Sequence, residues 1–589
     1  MKKYALLLLI LASFLFIVTW NQISESACPK SAPPPKQSEW EPSGQPPPPS
    51  SSRPPLSVGL QPRIESMRSS TGVAEPWEVW WTLNREKFLN FKQPIEWVSI
   101  KKTEGGTTSV VKSPVYEELL TVLKTALAEK DFTVVWNAAL ALGRSGDPAV
   151  LESLQTAFKE AKQILVKDYS ILAMGWLGDN AAIETLKPVA TDKAEQEVVR
   201  SHAVAALGYL KDPAVYGILK DISGDKENNK FADLQAAVAI AMGLTRDDSA
   251  VAALAALLNG SEKISPKIRG YAALGLGRIA NEEAFKELKK ALNDRDKEVR
   301  ISVAMALGMV NVGPAGSANE PKKIQEELIN LLKDKESIIR GLAAISLAQI
   351  AVRNKEVMDM KAVVSALPKA LKETRTAEGD GLVVLAMGIL GDDSYKVEFK
   401  NIMEDRKKRQ FLKAAVVVAS GIMKDNSQAP ALIAMLKKQP NDPIMSPYII
   451  LALGMMGDEK AVEAIQSVWA NVDKNVMSSA YTNMAVALSM LGKRSEIVAQ
   501  LVQHTKGANE TLKQYAFHTL GMLCDKESAK AFVDGYNNEK SDTNKVYIVT
   551  GIGLMLEKTS FPLIVEWTGN NNPEIATLII DHLLPVPTW

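Results

Sequence analysis

Tyrosine and basic side chains recur together in this sequence. The tripeptide basic-x-Tyr or basic-x-His occurs at Lys167, Arg200, Arg269, Lys513 and Lys545, placing Tyr169, His202, Tyr271, Tyr515 and Tyr547 in one column. Tyr448 and Asn483 hold the equivalent place elsewhere, so five of the chain's twelve tyrosines share a single position of a repeating pattern. A phenol ring gives large contact area at little rotamer cost, and its hydroxyl serves a polar partner. Beside the positive charges of Arg200, Arg269, Lys513 and Lys545, such a strip would suit an extended peptide, an acidic protein segment or a glycan chain.

Other chemistries are poorly provided for. The chain has four histidines and two cysteines, which leaves no disulfide scaffold and no Cys-rich metal site. Neither a phosphate-binding Gly-x-x-x-x-Gly-Lys-Ser/Thr loop nor a Gly-x-Ser-x-Gly elbow occurs. No catalytic constellation, metal site or cofactor site is expected. With 69 Lys and Arg against 68 Asp and Glu over 589 residues, the net charge of +1 gives no footprint for nucleic acid.

The column exists because the chain repeats. Trp136-NAALALG-Arg144, Arg200-SHAVAALG-Tyr209, Arg300-ISVAMALG-Met309 and Pro447-YIILALG-Met455 are apolar helices that end at a glycine followed by a turn. The marked position falls at Gly143, Gly175, Gly208, Gly243, Gly277, Gly308, Ala348, Gly388, Gly421, Gly454, Ser489, Gly521 and Gly553. That gives about thirteen units across residues 113–589, each with an amphipathic first helix and a nearly all-apolar second helix. Asp147, Asp179, Asp212, Asp247, Asp392, Asp425, Asp458 and Asp525 stand four residues after that position, where a carboxylate caps the next helix. No unit buries its apolar face alone, so the expected fold is all-α: stacked hairpins forming an elongated superhelix about 100–130 Å along its contour.

Leu292-N-Asp294-RDKE-Val299-Arg300-ISVAMALG and Leu332-K-Asp334-KES-Ile338-Ile339-Arg340-GLAAISLA resemble HEAT repeats. The Gly-x-x-Gly-Asp turns at Gly143, Gly175 and Gly454 are similar to the HEAT-like units of phycobilisome-lyase proteins. The resemblance implies an α-solenoid whose second helices line a concave face, most often a protein-binding scaffold. It also offers a structural role for the basic column, because in HEAT repeats an Arg six residues after an Asp forms a ladder, as Asp294/Arg300 and Asp334/Arg340 repeat here. Hydroxylases built on such repeats use His-Glu pairs as iron ligands, and none of His202, His504, His518 and His582 precedes a Glu. A lyase-type enzyme or accessory remains an alternative by repeat type alone.

Ahead of the array lie three further segments. Residues 1–26, with Lys2 and Lys3 before the apolar run Tyr4 to Trp20, read as a signal peptide or an N-terminal membrane anchor, so the chain is expected to be exported, periplasmic or extracellular. Residues 27–74 are a Pro-rich disordered linker, with twelve of the thirty prolines between Pro29 and Pro62. In residues 75–112, Trp77, Trp80, Trp81, Asn84, Phe88 and Phe91 share one helical stripe, expected to seal the open end of the array. Insertions at 311–323 and 351–364 expand two units. The resulting expectation is a non-catalytic protein-binding scaffold outside the cytoplasm, touching a membrane only through its N-terminal segment, with a glycan or cell-envelope binding module as the second reading.

Overall fold

The computed structural model describes residues 75–557 except 90, 93–94, 103–107, 261–262, 373–378 and 472–477. The leader, the proline-rich stretch and His582 lie outside the described residues.

Helix α1 (Pro76–Asn84) and the single turn α2 (Glu86–Leu89) come first, then a hairpin of β1 (Val98–Lys102) and β2 (Thr108–Lys112) pairing antiparallel from Val98↔Lys112 to Lys102↔Thr108. Thirteen helical hairpins follow among the described residues. Units 1–4 are α3 (Pro114–Ala126) with α4 (Phe132–Ser145), α5 (Leu151–Glu160) with α6 (Ile164–Leu177), α7 (Ile183–Thr191) with α8 (Glu197–Leu207), and α9 (Ala214–Gly224) with α10 (Ala232–Thr245). Units 5–8 are α11 (Val251–Leu258) with α12 (Pro266–Ile279), α13 (Glu282–Lys290) with α14 (Lys297–Leu307), α15 (Pro321–Leu331) with α16 (Ser337–Arg353), and α17 (Met360–Lys372) with α18 (Asp380–Leu390). Units 9–13 are α19 (Tyr395–Glu404) with α20 (Gln410–Ile422), α21 (Ala429–Lys438) with α22 (Met445–Met456), α23 (Ala461–Trp469) with α24 (Ser478–Leu488), α25 (Arg494–His504) with α26 (Glu510–Leu523), and α27 (Ala529–Asn538) with α28 (Asp542–Leu556).

The local signals act as their chemistry requires. All eight turn aspartates accept a backbone N–H two residues on, among them Ala149 onto Asp147 at 3.1 Å and Lys460 onto Asp458 at 3.0 Å. Gly146, Gly178, Gly391 and Gly457 take left-handed backbone (φ 56° to 73°) to end α4, α6, α18 and α22. The marked glycines act by their lack of a side chain. A Cβ on Gly143 would stand 2.7 Å from Cα of Ala173, and one on Gly454 would stand 2.8 Å from Cα of Ala487. Each inner helix with a glycine at the marked position therefore presses it onto the residue two places before the marked position of the next inner helix.

The stack is the expected α-solenoid of helical hairpins, but its path is closed. A Cβ on Gly553 in α28 would stand 3.0 Å from Cα of Ala141 in α4, so the last unit meets the first through the joint used everywhere else. At the same seam Thr550 Oγ1 donates to Asn137 Oδ1 at 3.1 Å, Lys545 pairs with Glu129 at 2.6 Å, and the Tyr536 hydroxyl bonds Glu129 at 2.9 Å. Instead of an open superhelix the units form a ring, with α4 to α28 (the second helix of each unit) inside and the first helices outside. Because the inner helices run parallel, their N-termini share one rim and their C-termini the other.

Candidate functional site: the interior of the ring

At 100° per residue, the side chains three before and one after the marked position lie on the side of each inner helix away from its outer partner. Leu140, Leu172, Leu385 and Leu451 stand three before it, so the interior wall is largely apolar. Units 1–3 add aromatics. Trp136 stacks on Tyr169 with ring centres 4.6 Å apart, the Arg144 guanidinium lies 5.9 Å from the Trp176 ring, and with Leu140, Leu172 and Ala205 these aromatics form a cluster separate from the main core.

The aromatic stripe of α1 and α2 docks on this wall opposite that cluster. It begins at the N-terminal rim, where Glu75 pairs with Arg409 at 2.7 Å, immediately before α20. Trp77 sits against Gly381 of α18, where a Cβ would stand 2.1 Å from the indole, and its ring centre lies 5.1 Å from that of Tyr448 in α22. The Tyr448 hydroxyl donates to Glu78 Oε1 at 2.9 Å, and the Glu75 amide donates to Glu78 Oε2 at 2.8 Å. Trp80 and Trp81 close on Phe88 at 6.1 and 5.9 Å. The segment leaves at the opposite rim. There Arg494 donates from Nη1 to the Phe91 carbonyl at 2.9 Å and from Nη2 to the carbonyls of Leu523 and Cys524 at the end of α26. Lys92 pairs with Glu557 at 3.3 Å and with Glu86 at 2.9 Å, while Glu557 also lies 3.8 Å from Arg144 of unit 1. Residues 75–92 thus form a strut that crosses the ring from rim to rim. Their fourteen helical positions (nine in α1, one linking residue, four in α2) reach about 20 Å, the length of an inner helix.

The electrostatics of the strut are unusual. Burial pushes the Glu78 carboxyl up to about 8, although the Glu75 amide and the Tyr448 hydroxyl both oppose the shift. Burial raises the Tyr448 hydroxyl well above its ordinary value, with the Glu78 carboxylate adding to the effect. For Lys92 burial pulls downward, but the Glu86 and Glu557 carboxylates outweigh it and hold the ammonium above its usual range. The indole N–H groups of Trp77 and Trp81 and Nε of Arg85 are buried without a hydrogen-bond partner.

The column singled out in the sequence is not an exposed strip. Tyr169, His202, Tyr271, Tyr448, Asn483, Tyr515 and Tyr547 are all less than 9% exposed. His202 Nδ1 lies 2.9 Å from Asp168 between α6 and α8, and Asn483 donates to the Pro447 carbonyl. The basic residues build a ladder, each reaching the loop within the next unit. Lys167 pairs with Glu195, Arg200 bonds Asn228, Arg269 pairs with Asp294, Arg300 with Asp334, and Lys513 with Glu539. Lys545 to Glu129 is the same rung across the seam. Rings and charges are spent on joining neighbouring units, which is why they recur together. Tyr448 alone of the column meets the strut, and a lone Tyr position could not announce that. The expected sealing role of residues 75–112 is also corrected: the closed array has no open end, and the tryptophans face inward. The 311–323 insertion packs back on the turn between units 5 and 6, where Ala318 N–H meets Glu282 and Asn311 N–H meets the Ala280 carbonyl.

Among the described residues no group of three or more His, Cys, Asp and Glu side chains is placed to hold a metal, and no helix is long and apolar enough to cross a membrane. Residues 227–308 and 261–348 match HEAT repeats, and residues 134–160 match the PBS lyase HEAT-like repeat. No curated protein matches the chain in sequence. Among solved structures, human deoxyhypusine hydroxylase in complex with glycerol is 23% identical over 47% of this chain and 97% of its own, with a TM-score of 0.22. The CpcE–CpcF complex of phycocyanin lyase from Nostoc sp. PCC7120 is 19% identical over 41% of this chain and 94% of its own, with a TM-score of 0.28. Importin beta is 14% identical over 82% and 70%, with a TM-score of 0.37. At these values none of the three bears on what this chain does.

Proposed function

From a chain of HEAT repeats whose hairpins close on themselves, we infer a non-catalytic protein-binding scaffold working outside the cytoplasm. The observation that supports it most is the strut: the ring's inner wall holds an aromatic helix by stacking, a carboxylate–guanidinium pair and a phenol hydrogen bond. Such a wall is suited to protein segments. Export rests on the sequence of residues 1–26, and residues 27–74 would space the ring from a membrane or wall. The tryptophans that suggested a sugar platform, Trp77, Trp80 and Trp81, are buried, which favours the protein-binding reading over the glycan one. Crosslinking the full chain in its native envelope, followed by mass spectrometry, tests the proposal. Recovery of crosslinks within the ring but of none to another protein would overturn it.

A further inference from the structure

Two stretches of the inner wall carry aromatic side chains, and the strut accounts for one of them. Trp77, Trp80 and Trp81 belong to the main core together with the wall of units 8–10, whereas Trp136, Tyr169 and Trp176 on units 1–3 form a separate cluster. Among the described residues, the further apolar side chains packed on that cluster (Leu127, Phe132, Ala161, Leu165 and Tyr209) all come from units 1–3 themselves. Yet Trp136, Leu140 and Leu172 are only 3%, 2% and 1% exposed. Side chains on a concave wall open to solvent would keep one face in water, and an aromatic patch is rarely left so. Their burial calls for a cover that none of the described segments provides.

Residues 1–74 lead to Glu75, which pairs with Arg409 at the start of α20, across the ring from units 1–3. Residues 558–589 follow Glu557, which lies 3.8 Å from Arg144, and the Arg144 guanidinium lies 5.9 Å from the Trp176 ring. The second segment therefore sets out from the edge of the cluster. Its sequence suits the wall. Asn572-Pro573-Glu574 carries the signals of a helix start, and Ile575, Leu578, Ile579, Ile580, Leu583 and Leu584 follow before Pro585. The spacing predicts a helix over 573–584, apolar around most of its circumference and about 18 Å long, close to an inner helix. Residues 558–572 extend at most about 50 Å, enough to lay that helix on the wall. Glu566, Glu574 and Asp581 outnumber Lys558, and they are opposite in sign to Arg144 and Arg278, which both stand one after the marked position.

We propose that residues 558–589 dock on the inner wall of units 1–3 and cover the Trp136–Tyr169–Trp176 cluster, as the strut covers the wall of units 8–10. The segment leaves unit 13 and lands on units 1–3, so it straps the seam from within. The test is photocrosslinking in the full chain. Benzoylphenylalanine in place of Leu172 should link to residues 558–589, and the same label in place of Leu385, on the helix that receives Trp77, should link to residues 75–92. Links from position 172 to residues 1–74, to another protein or to nothing, while position 385 links as expected, would overturn the proposal. A label in a buried wall can disturb folding, so a second measurement changes only the segment. Ile579→Asp with Leu583→Asp should raise the emission of a dye for exposed apolar surface about threefold at retained helicity. Asn570→Asp with Asn571→Asp adds the same charge and should leave the emission unchanged. Equal emission from the two pairs of changes would overturn the assignment as well.

Discussion

The seam between units 13 and 1 and the strut inside the ring are both long-range contacts, joining residues more than 300 positions apart, yet they are built in different ways. The seam copies what neighbours do. Gly553 meets Ala141 as Gly143 meets Ala173, and Lys545 meets Glu129 as Lys513 meets Glu539. The strut copies nothing: its stacking, its phenol–carboxylate bond and its rim pair each occur once. Repetition yields contacts that can be reused, because a joint that serves within the array serves equally at its closure. A unique contact has to be satisfied residue by residue.

The sharpest way to break this comparison is to fill the joint. Gly454→Val within the array and Gly553→Val at the seam each drive a side chain into neighbouring backbone, with Cβ positions 2.8 Å from Ala487 and 2.9 Å from Ala141. Each should cost about 3 kcal/mol of stability, read from the shift of the urea midpoint. Gly553→Val should in addition enlarge the radius of gyration by opening the ring, and a seam variant that costs far less than the array variant would show that closure is not an ordinary joint.

A comparable effect is expected from pH, on the strut alone. Glu78 faces Glu75 on its own segment and Tyr448 on α22, with Arg85 acting on Tyr448 and Arg409 paired with Glu75. Its carboxyl is raised on docking from 4.5 to about 8, so the docked state holds a proton that the undocked state has released between those values. Docking is therefore strongest below pH 4.5 and weakens as pH rises to about 8, by about 3 kcal/mol at pH 7. Tryptophan fluorescence should report progressive release of the strut across this window, and Glu78→Gln should flatten the profile. A flat profile in the unaltered chain would place Glu78 in a better-solvated setting than the docked geometry gives it.

Smaller effects probe the ladder and the caps. Lys545→Met at the seam and Arg300→Met in the array should each lower stability by about 1 kcal/mol, the two agreeing within error if the rungs are equivalent. Asp458→Ala, which removes the cap received by the Lys460 amide at 3.0 Å, should cost up to about 1 kcal/mol and leave ring closure untouched, as scattering would confirm.

Whatever acts within one or two units could be read in the sequence. The capping aspartates, the glycine joints and the alternation of amphipathic and apolar helices all follow from local spacing, and the structure keeps each of them. The Arg300–Asp334 rung was legible as a ladder as well. Closure was not, because it depends on the turn per unit: thirteen equal steps close when each contributes about 28°, and a few degrees less would leave an open superhelix built of the same local contacts. The strut was visible as an aromatic stripe at Trp77, Trp80, Trp81 and Phe88. Its place was hidden, because an amphipathic helix specifies a buried face but not the surface that buries it. The Tyr column misled for a related reason: periodicity marks equivalence, and equivalent positions serve the joint between units at least as readily as they serve a ligand.

The passage of residues 75–92 through the ring carries a mechanical consequence. An open array pulled from its first unit would peel one hairpin at a time, each yielding at its own small force. Here tension applied ahead of Glu75 is received first by the rim at Arg409, then shared along a helix lying parallel to the inner helices, and finally delivered to units 12, 13 and 1 through Arg494, Glu557 and Lys92. The load meets the wall in shear across several units at once, and the seam lies among the parts that bear it. Loading rate and pulling direction should therefore govern how this molecule yields, and a pull on the chain before Glu75 should be resisted more strongly than one on α28.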